Sequence, residues 1–165
     1  MRLPLTLSAL AIAATLAGCG QKASTEAASD SAAAPAAAEP TDAEKAAILA
    51  ALPAPYNTAD LENGRRKFGL CRSCHSIEKD GPNMTGPHLY GVIGRQAGSL
   101  SDYNYSEDLK KAGFAWDVEK LHAWLTDTHA LVPGTKMPPV VGLKQDKDRN
   151  DVIAYVMVES GYKPQ

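Results

Sequence analysis

The sequence predicts a small all-α domain preceded by a long N-terminal segment of different character. Three observations predict it. Three stretches carry apolar residues at helical spacing, no stretch alternates apolar and polar residues as a half-buried strand would, and the helical stretches are separated by long Gly/Pro-rich loops. The chain has 165 residues, 13 of them Gly and 11 Pro. The first 55 or so look unlike the rest, which leaves about 110 for the fold, enough for one modest core.

Residues 1–18 read as a signal peptide. Arg2 supplies the positive start, Leu3 to Ala17 is apolar with small residues towards its end, and the run is too short to span a bilayer comfortably. Leu16-Ala17-Gly18-Cys19 resembles a bacterial lipobox, so Cys19 is expected to carry lipid after cleavage. At about 0.8 kcal/mol per buried CH₂, several acyl chains make a firm anchor. Residues 19–57 are Ala/Ser/Pro-rich and polar at first, a composition that buries no core and predicts a flexible tether. As a coil, the part up to Leu52 would span about 30 Å. A short helix is possible over 42–52, where Thr41-Asp42-Ala43-Glu44 fits a capping box and Ile48, Leu49 and Leu52 follow. Pro53 and Pro55 would stop it.

The domain is expected over 58–165. A first helix over 59–70 sets Leu61, Gly64 and Phe68 on one face. A second starts at Asp117, with Val118, Leu121, Trp124 and Leu125 at helical spacing. A third runs over 148–160 through Val152, Tyr155 and Val156 to a stop at Gly161. Net charge is −2 for the chain, and from Thr58 onward Lys+Arg and Asp+Glu are equal at 14 each. No basic block points to nucleic acid, and long-range steering towards a charged partner should be weak.

Three cysteines argue against a simple disulfide framework. Two of them lie in Cys71-Arg72-Ser73-Cys74-His75, the C-x-x-C-H pattern of covalent haem attachment. The spacing has a chemical reason. Thiols at i and i+3 meet two vinyl groups on one porphyrin edge, and the adjacent histidine is held at the iron. With this composition the pattern arises by chance about once in 10³ such chains. Zinc would need four closed ligands, and His88, His122 and His129 form no second paired motif. A thioredoxin-like pair would need a βαβ setting that is absent. Long loops in so small a domain also need a reason, and wrapping a flat cofactor is one. By composition, Met84, Met137 and Met157 each offer a sulfur. Met157 sits in a helical pattern and Met84 lies only nine residues past His75, whereas Met137 leaves chain enough to wrap the haem.

From about 60 to 162 the chain resembles the class I cytochromes c, closest to the mitochondrial and bacterial c2-like group. The resemblance rests on Gly64-x-x-x-Phe68, Thr85-Gly86-Pro87-x-Leu89-x-Gly91-x-x-Gly94-Arg95, Tyr103-x-Tyr105-Ser106, Trp116, Pro133-Gly134-Thr135-Lys136-Met137 and Asp151-Val152-Ile153-Ala154-Tyr155. It implies three main helices and long loops around one covalent haem c, with His75 and Met137 as axial ligands. It further implies that the Pro87 carbonyl orients His75, that Arg95, Tyr105 and Trp116 hydrogen-bond a haem propionate, and that Thr135 makes a propionate or loop contact. Trp124 stands where the family often has a tyrosine near the methionine sulfur, so the usual hydroxyl hydrogen bond is expected to be missing. His129-Ala130 replaces a basic pair used for partner docking. The function implied is one-electron transfer in a bacterial respiratory-type chain, not enzymatic catalysis. Partners would be redox proteins rather than a small-molecule substrate, met on the periplasmic side of the membrane. The alternative is a haem enzyme or gas sensor with a labile methionine.

Overall fold

The computed structural model describes residues 40–164; the expected leader over 1–18, Cys19 and the tether as far as residue 39 lie outside them. Among the described residues the regular structure is helical, with two isolated bridges, His75–Asn83 and Gln96–Ala115, in place of any strand.

Every α-helix before the last begins where a short polar side chain satisfies the first free backbone N–H groups. Helix α1, Asp42–Ala50, has both halves of its capping box: Glu44 N–H donates to Thr41 Oγ1 at 3.3 Å, and Thr41 N–H to Glu44 Oε2 at 2.7 Å. Helix α2, Leu61–Phe68, is capped by Asp60, and a short α3, Glu107–Lys110, by Ser106. Asp117 caps α4, Val118–Thr126, and Asp127 caps the one-turn α5, Thr128–Leu131. The last helix, α6, Asp146–Glu159, starts two residues earlier than its apolar pattern predicts and has no side-chain cap. It ends where Gly161 takes φ 76°, a left-handed stop that other residues resist, against the Tyr90 ring.

The core is organised around α6, buried without interruption from Asp151 to Val158. Helix α2 crosses it at Gly64, where a methyl group would stand 2.8 Å from Tyr155 Cβ and against the Asp151 carbonyl. Phe68 and Tyr155 pack beside this crossing with ring centroids 5.4 Å apart. A polar clasp joins the same helices. Asp151 accepts from Asp60 N–H at 2.9 Å, Asn63 Nδ2 at 2.7 Å and Lys147 Nζ at 2.6 Å.

A second cluster covers another side of α6. Leu52 and Tyr56, with partly buried Ile48 and Leu49, pack on Ile153, Ala154 and Met157, and Lys45 Nζ meets Glu159 at 2.7 Å. From Thr41 onward the expected tether is therefore structured and docked. A lone nine-residue helix is marginal in water; burying apolar side chains, at about 1.5–3 kcal/mol each, is what holds it.

The long loops satisfy their backbone groups on one another. Gly94 N–H donates to Trp116 O at 2.7 Å, Trp116 N–H to Arg95 O at 2.9 Å, and Ala97 N–H to Phe114 O at 2.9 Å. Gly86 N–H reaches Cys74 O and Leu89 N–H reaches Ser76 O, both at 2.8 Å, which fastens the Gly/Pro loop to the Cys-x-x-Cys-His turn.

Candidate functional site

Between α2, α4, α6 and the loops lies a cavity of about 350 Å³. Its walls are mostly apolar: Phe68, Leu89, Val92, Leu109, Leu121, Leu125, Val152, Ile153 and Val156. Eight of the nine expected cofactor contacts line it, namely Cys71, Cys74, His75, Pro87, Tyr105, Trp116, Thr135 and Met137.

The cysteine pair continues from the end of α2 as a tight turn, with Cys74 N–H and His75 N–H both on Cys71 O, at 3.0 and 2.9 Å. Both cysteines are free of disulfides. Burial, then the neighbouring Cys74, pushes the Cys71 thiol up to about 11. Among the described residues no three His, Cys, Asp or Glu side chains converge on a metal position.

His75 Nδ1 lies 2.7 Å from Pro87 O. A carbonyl only accepts, so Nδ1 carries the proton and Nε2 keeps its lone pair for a metal. Gly86 lies against the imidazole; a methyl there would stand 2.7 Å from both Nδ1 and Nε2. Burial lowers the pKa of His75 below its ordinary value, partly offset by the Pro87 bond, which favours the neutral ligand form.

Of the three methionines weighed as sulfur donors, Met137 alone lines the cavity. Met157 is fully buried in the second cluster, and Met84 is 46% exposed. The Met137 loop is held by Met137 N–H to Thr135 Oγ1 at 3.2 Å and by Lys136 Nζ on Asn104 O and Tyr105 O at 2.9 and 3.3 Å. The Met137 sulfur is not without a donor: Trp124 Nε1–H reaches Sδ at 3.1 Å. In place of the family's hydroxyl, an indole N–H takes the position. Trp124 is 7% exposed and meets Trp116 edge-on, centroids 5.2 Å apart at 76°.

Arg95 is the exception. It does not line the cavity, because its terminal nitrogens are engaged with backbone carbonyls, Nη2 with His88 O at 2.8 Å and Nη1 with Tyr90 O at 3.2 Å. Tyr103 was not anticipated. It lines the cavity, donates to Thr85 O at 2.5 Å and stacks edge-on with Tyr105. Its place in the Tyr103-x-Tyr105-Ser106 motif was the available signal. His88, His122 and His129 stand outside the cavity lining.

An apolar slot with two thiols on one turn, a tautomer-fixed imidazole and a thioether suits a flat, iron-bearing macrocycle. The donor set fits haem c. The cytochrome c family model matches residues 61–158. A cytochrome c homolog of Rickettsia conorii is 43% identical over 105 residues, 64% of this chain and 59% of that one. The chain thus spans under two thirds of the length of such Rickettsia relatives. The cytochrome c of Gibberella zeae is 43% identical over 98 residues, covering 92% of that protein, and the cytochrome c2 of Rhodoplanes tepidamans is 38% identical over 97, covering 90%. The chain belongs to the cytochrome c family. Its fold is the all-α class I fold, and its cofactor is a covalently bound haem c.

Proposed function

We propose that this protein is a one-electron carrier in a bacterial respiratory-type chain, with its haem held by Cys71 and Cys74 and ligated by His75 and Met137. The observation that carries the proposal is the pairing, in one cavity, of a histidine with Nδ1 fixed by Pro87 O and a methionine sulfur in a tied-down loop. When bound, the haem supplies an Fe(II)/Fe(III) couple, and a His/Met ligand pair raises its potential. The chain's own residues do the rest. Cys71 and Cys74 fix one edge by thioether bonds, Pro87 O holds the His75 ring in orientation, and the apolar wall excludes water. Tyr105 and Trp116, which line the cavity, would meet the propionates, and Thr135 would either join them or serve the Met137 loop, whose N–H its hydroxyl already accepts. Arg95 supports that edge by tying His88 to Tyr90 and by setting its charge near Tyr105.

With both His75 and Met137 bound, no position would be left open for peroxide or dioxygen, which favours a carrier over an enzyme. The test is carbon monoxide added to the reduced holoprotein at neutral pH. Little or slow binding is expected; rapid and complete binding would overturn the carrier reading in favour of a gas sensor or haem enzyme.

The protein works on the periplasmic side of a bacterial membrane, cleaved before Cys19 and anchored by lipid on it, exchanging electrons with donor and acceptor proteins of the chain. Support comes from the leader and lipobox pattern of residues 1–19. No helix among the described residues is long and apolar enough to cross a membrane. Cys19→Ala should move the holoprotein from the membrane to the soluble periplasmic fraction. Retention of all of it in the membrane would refute the anchor.

A further inference from the structure

We propose that residues 41–60 are a root that fixes where the tether joins the haem domain and limits how far the haem can stand from its anchor. This rests on the lipid anchor at Cys19 proposed above. These residues precede the stretch that the family model matches, 61–158, so carrying a haem does not account for them. No residue before Phe68 lines the cavity.

The chain comes onto α6 at its C-terminal end, where Lys45 Nζ meets Glu159 at 2.7 Å. It then runs back along that helix. Ile48, Leu49 and Leu52 pack on Ile153, Ala154 and Met157, Tyr56 joins the same cluster, and Asp60 N–H reaches Asp151 at 2.9 Å. From Glu159 back to Asp151 the helix axis covers about 12 Å, at about 1.5 Å per residue. The root therefore moves the joining point by that distance, from beside α2 to the end of α6. It also takes chain out of the tether. Residues 20–40 lie between Cys19 and Thr41 and stretch to at most about 75 Å. With α1 undone as far as Leu52, the tether would be residues 20–51, and the limit about 115 Å. The effective concentration of a tethered group falls roughly as the −3/2 power of tether length, so docking α1 about doubles it. A carrier rooted in this way serves donors and acceptors that stand on its own membrane.

The test uses the lipidated holoprotein in phosphatidylcholine vesicles that carry a headgroup-labelled fluorescent lipid, whose emission the haem quenches. Two variants free α1. Ile48→Asp with Leu49→Asp puts charge into the contact with α6, and Ala46→Pro breaks the helix at an exposed position. Both should keep the haem spectrum of the wild type. Amide exchange at Ala51, whose N–H bonds Ile48 O at 3.0 Å, should be slow in the wild type and fast in both variants. The mean height of the haem above the headgroups should grow about 1.2-fold in both, as the square root of tether length requires. A Gly/Ser insertion of about eleven residues after Pro35 leaves the root untouched and should give the same growth. Fast exchange at Ala51 in the wild type would overturn the root. So would an unchanged height in variants that have lost protection, or in the insertion variant. If the wild type binds the vesicles no better than Cys19→Ala, the anchor reading falls and takes this inference with it.

Discussion

Replacing Asp151 with alanine tests whether a buried carboxylate clasps the two helices that frame the cavity. Asp151 is 2% exposed and accepts from Asp60 N–H, Asn63 Nδ2 and Lys147 Nζ. In the variant Lys147 turns to water, and Asn63 retains Asp148 Oδ1 at 3.0 Å. The Asp60 N–H, at the start of α2, is left without its acceptor. One stranded backbone donor at about 1–3 kcal/mol, plus the lost charge-assisted bond from Asn63, gives a cost of about 2–3 kcal/mol. Urea unfolding of the holoprotein at pH 7, followed by far-UV circular dichroism, should show the midpoint falling by about 1–2 M. The pH dependence gives a second handle. Burial raises the Asp151 pKa, but the bonds from Lys147, Asn63 and Asp60 outweigh it and hold the carboxyl below its ordinary value. A folded pKa below the unfolded one, about 3.9, means the stabilisation is complete above that pH and is lost as pH falls through the folded pKa. The gap between wild type and variant should therefore close below about pH 4. A loss under about 0.5 kcal/mol at pH 7, or a gap that widens in acid, would refute the clasp.

Two further substitutions probe the site and its support. Gly86→Ala sets a methyl against the His75 ring and should push the imidazole off Pro87 O; haem per chain after expression with the maturation machinery should drop, and an unaltered yield and spectrum would count against the contact. Leu52→Ala empties the pocket between α1 and α6 and should cost about 2–4 kcal/mol in the same urea assay, whereas a change below about 1 kcal/mol would mean that α1 is not held by this packing.

Helices α2, α4 and α6 were legible because each carries its own periodic stripe and a stop or cap within a few residues. The four-residue α3 and α5 were not, since Ser106 and Asp127 create them by capping a single turn. The capping box announced α1, but not its docking: the surface that receives Ile48, Leu49 and Leu52 lies about a hundred residues on, in Ile153, Ala154 and Met157. At the site, Cys71, Cys74 and His75 stand in one motif and could be read directly. Met137 could be singled out among the methionines by chain length alone. The Trp124 bond to its sulfur could not, because an apolar helix position reads as core whichever way its one polar atom points. Arg95 shows the converse. A lone charge in a Gly-rich loop looks like a ligand contact, and nothing local reveals that two backbone carbonyls have already engaged it.

The crowding of α6 has a consequence for rate. An electron leaves or arrives only when the atoms around the two redox centres happen to suit both charge states, so every ångström of required rearrangement slows the jump. Val152, Ile153 and Val156 form part of the cavity wall, while the same helix is wedged by α2 on one side and by α1 on another. Close-packed interiors yield little. A wall braced from behind in this way should yield little when the charge beside it changes, and helix α1, packed on α6 as a buttress, is expected to keep the reorganisation small.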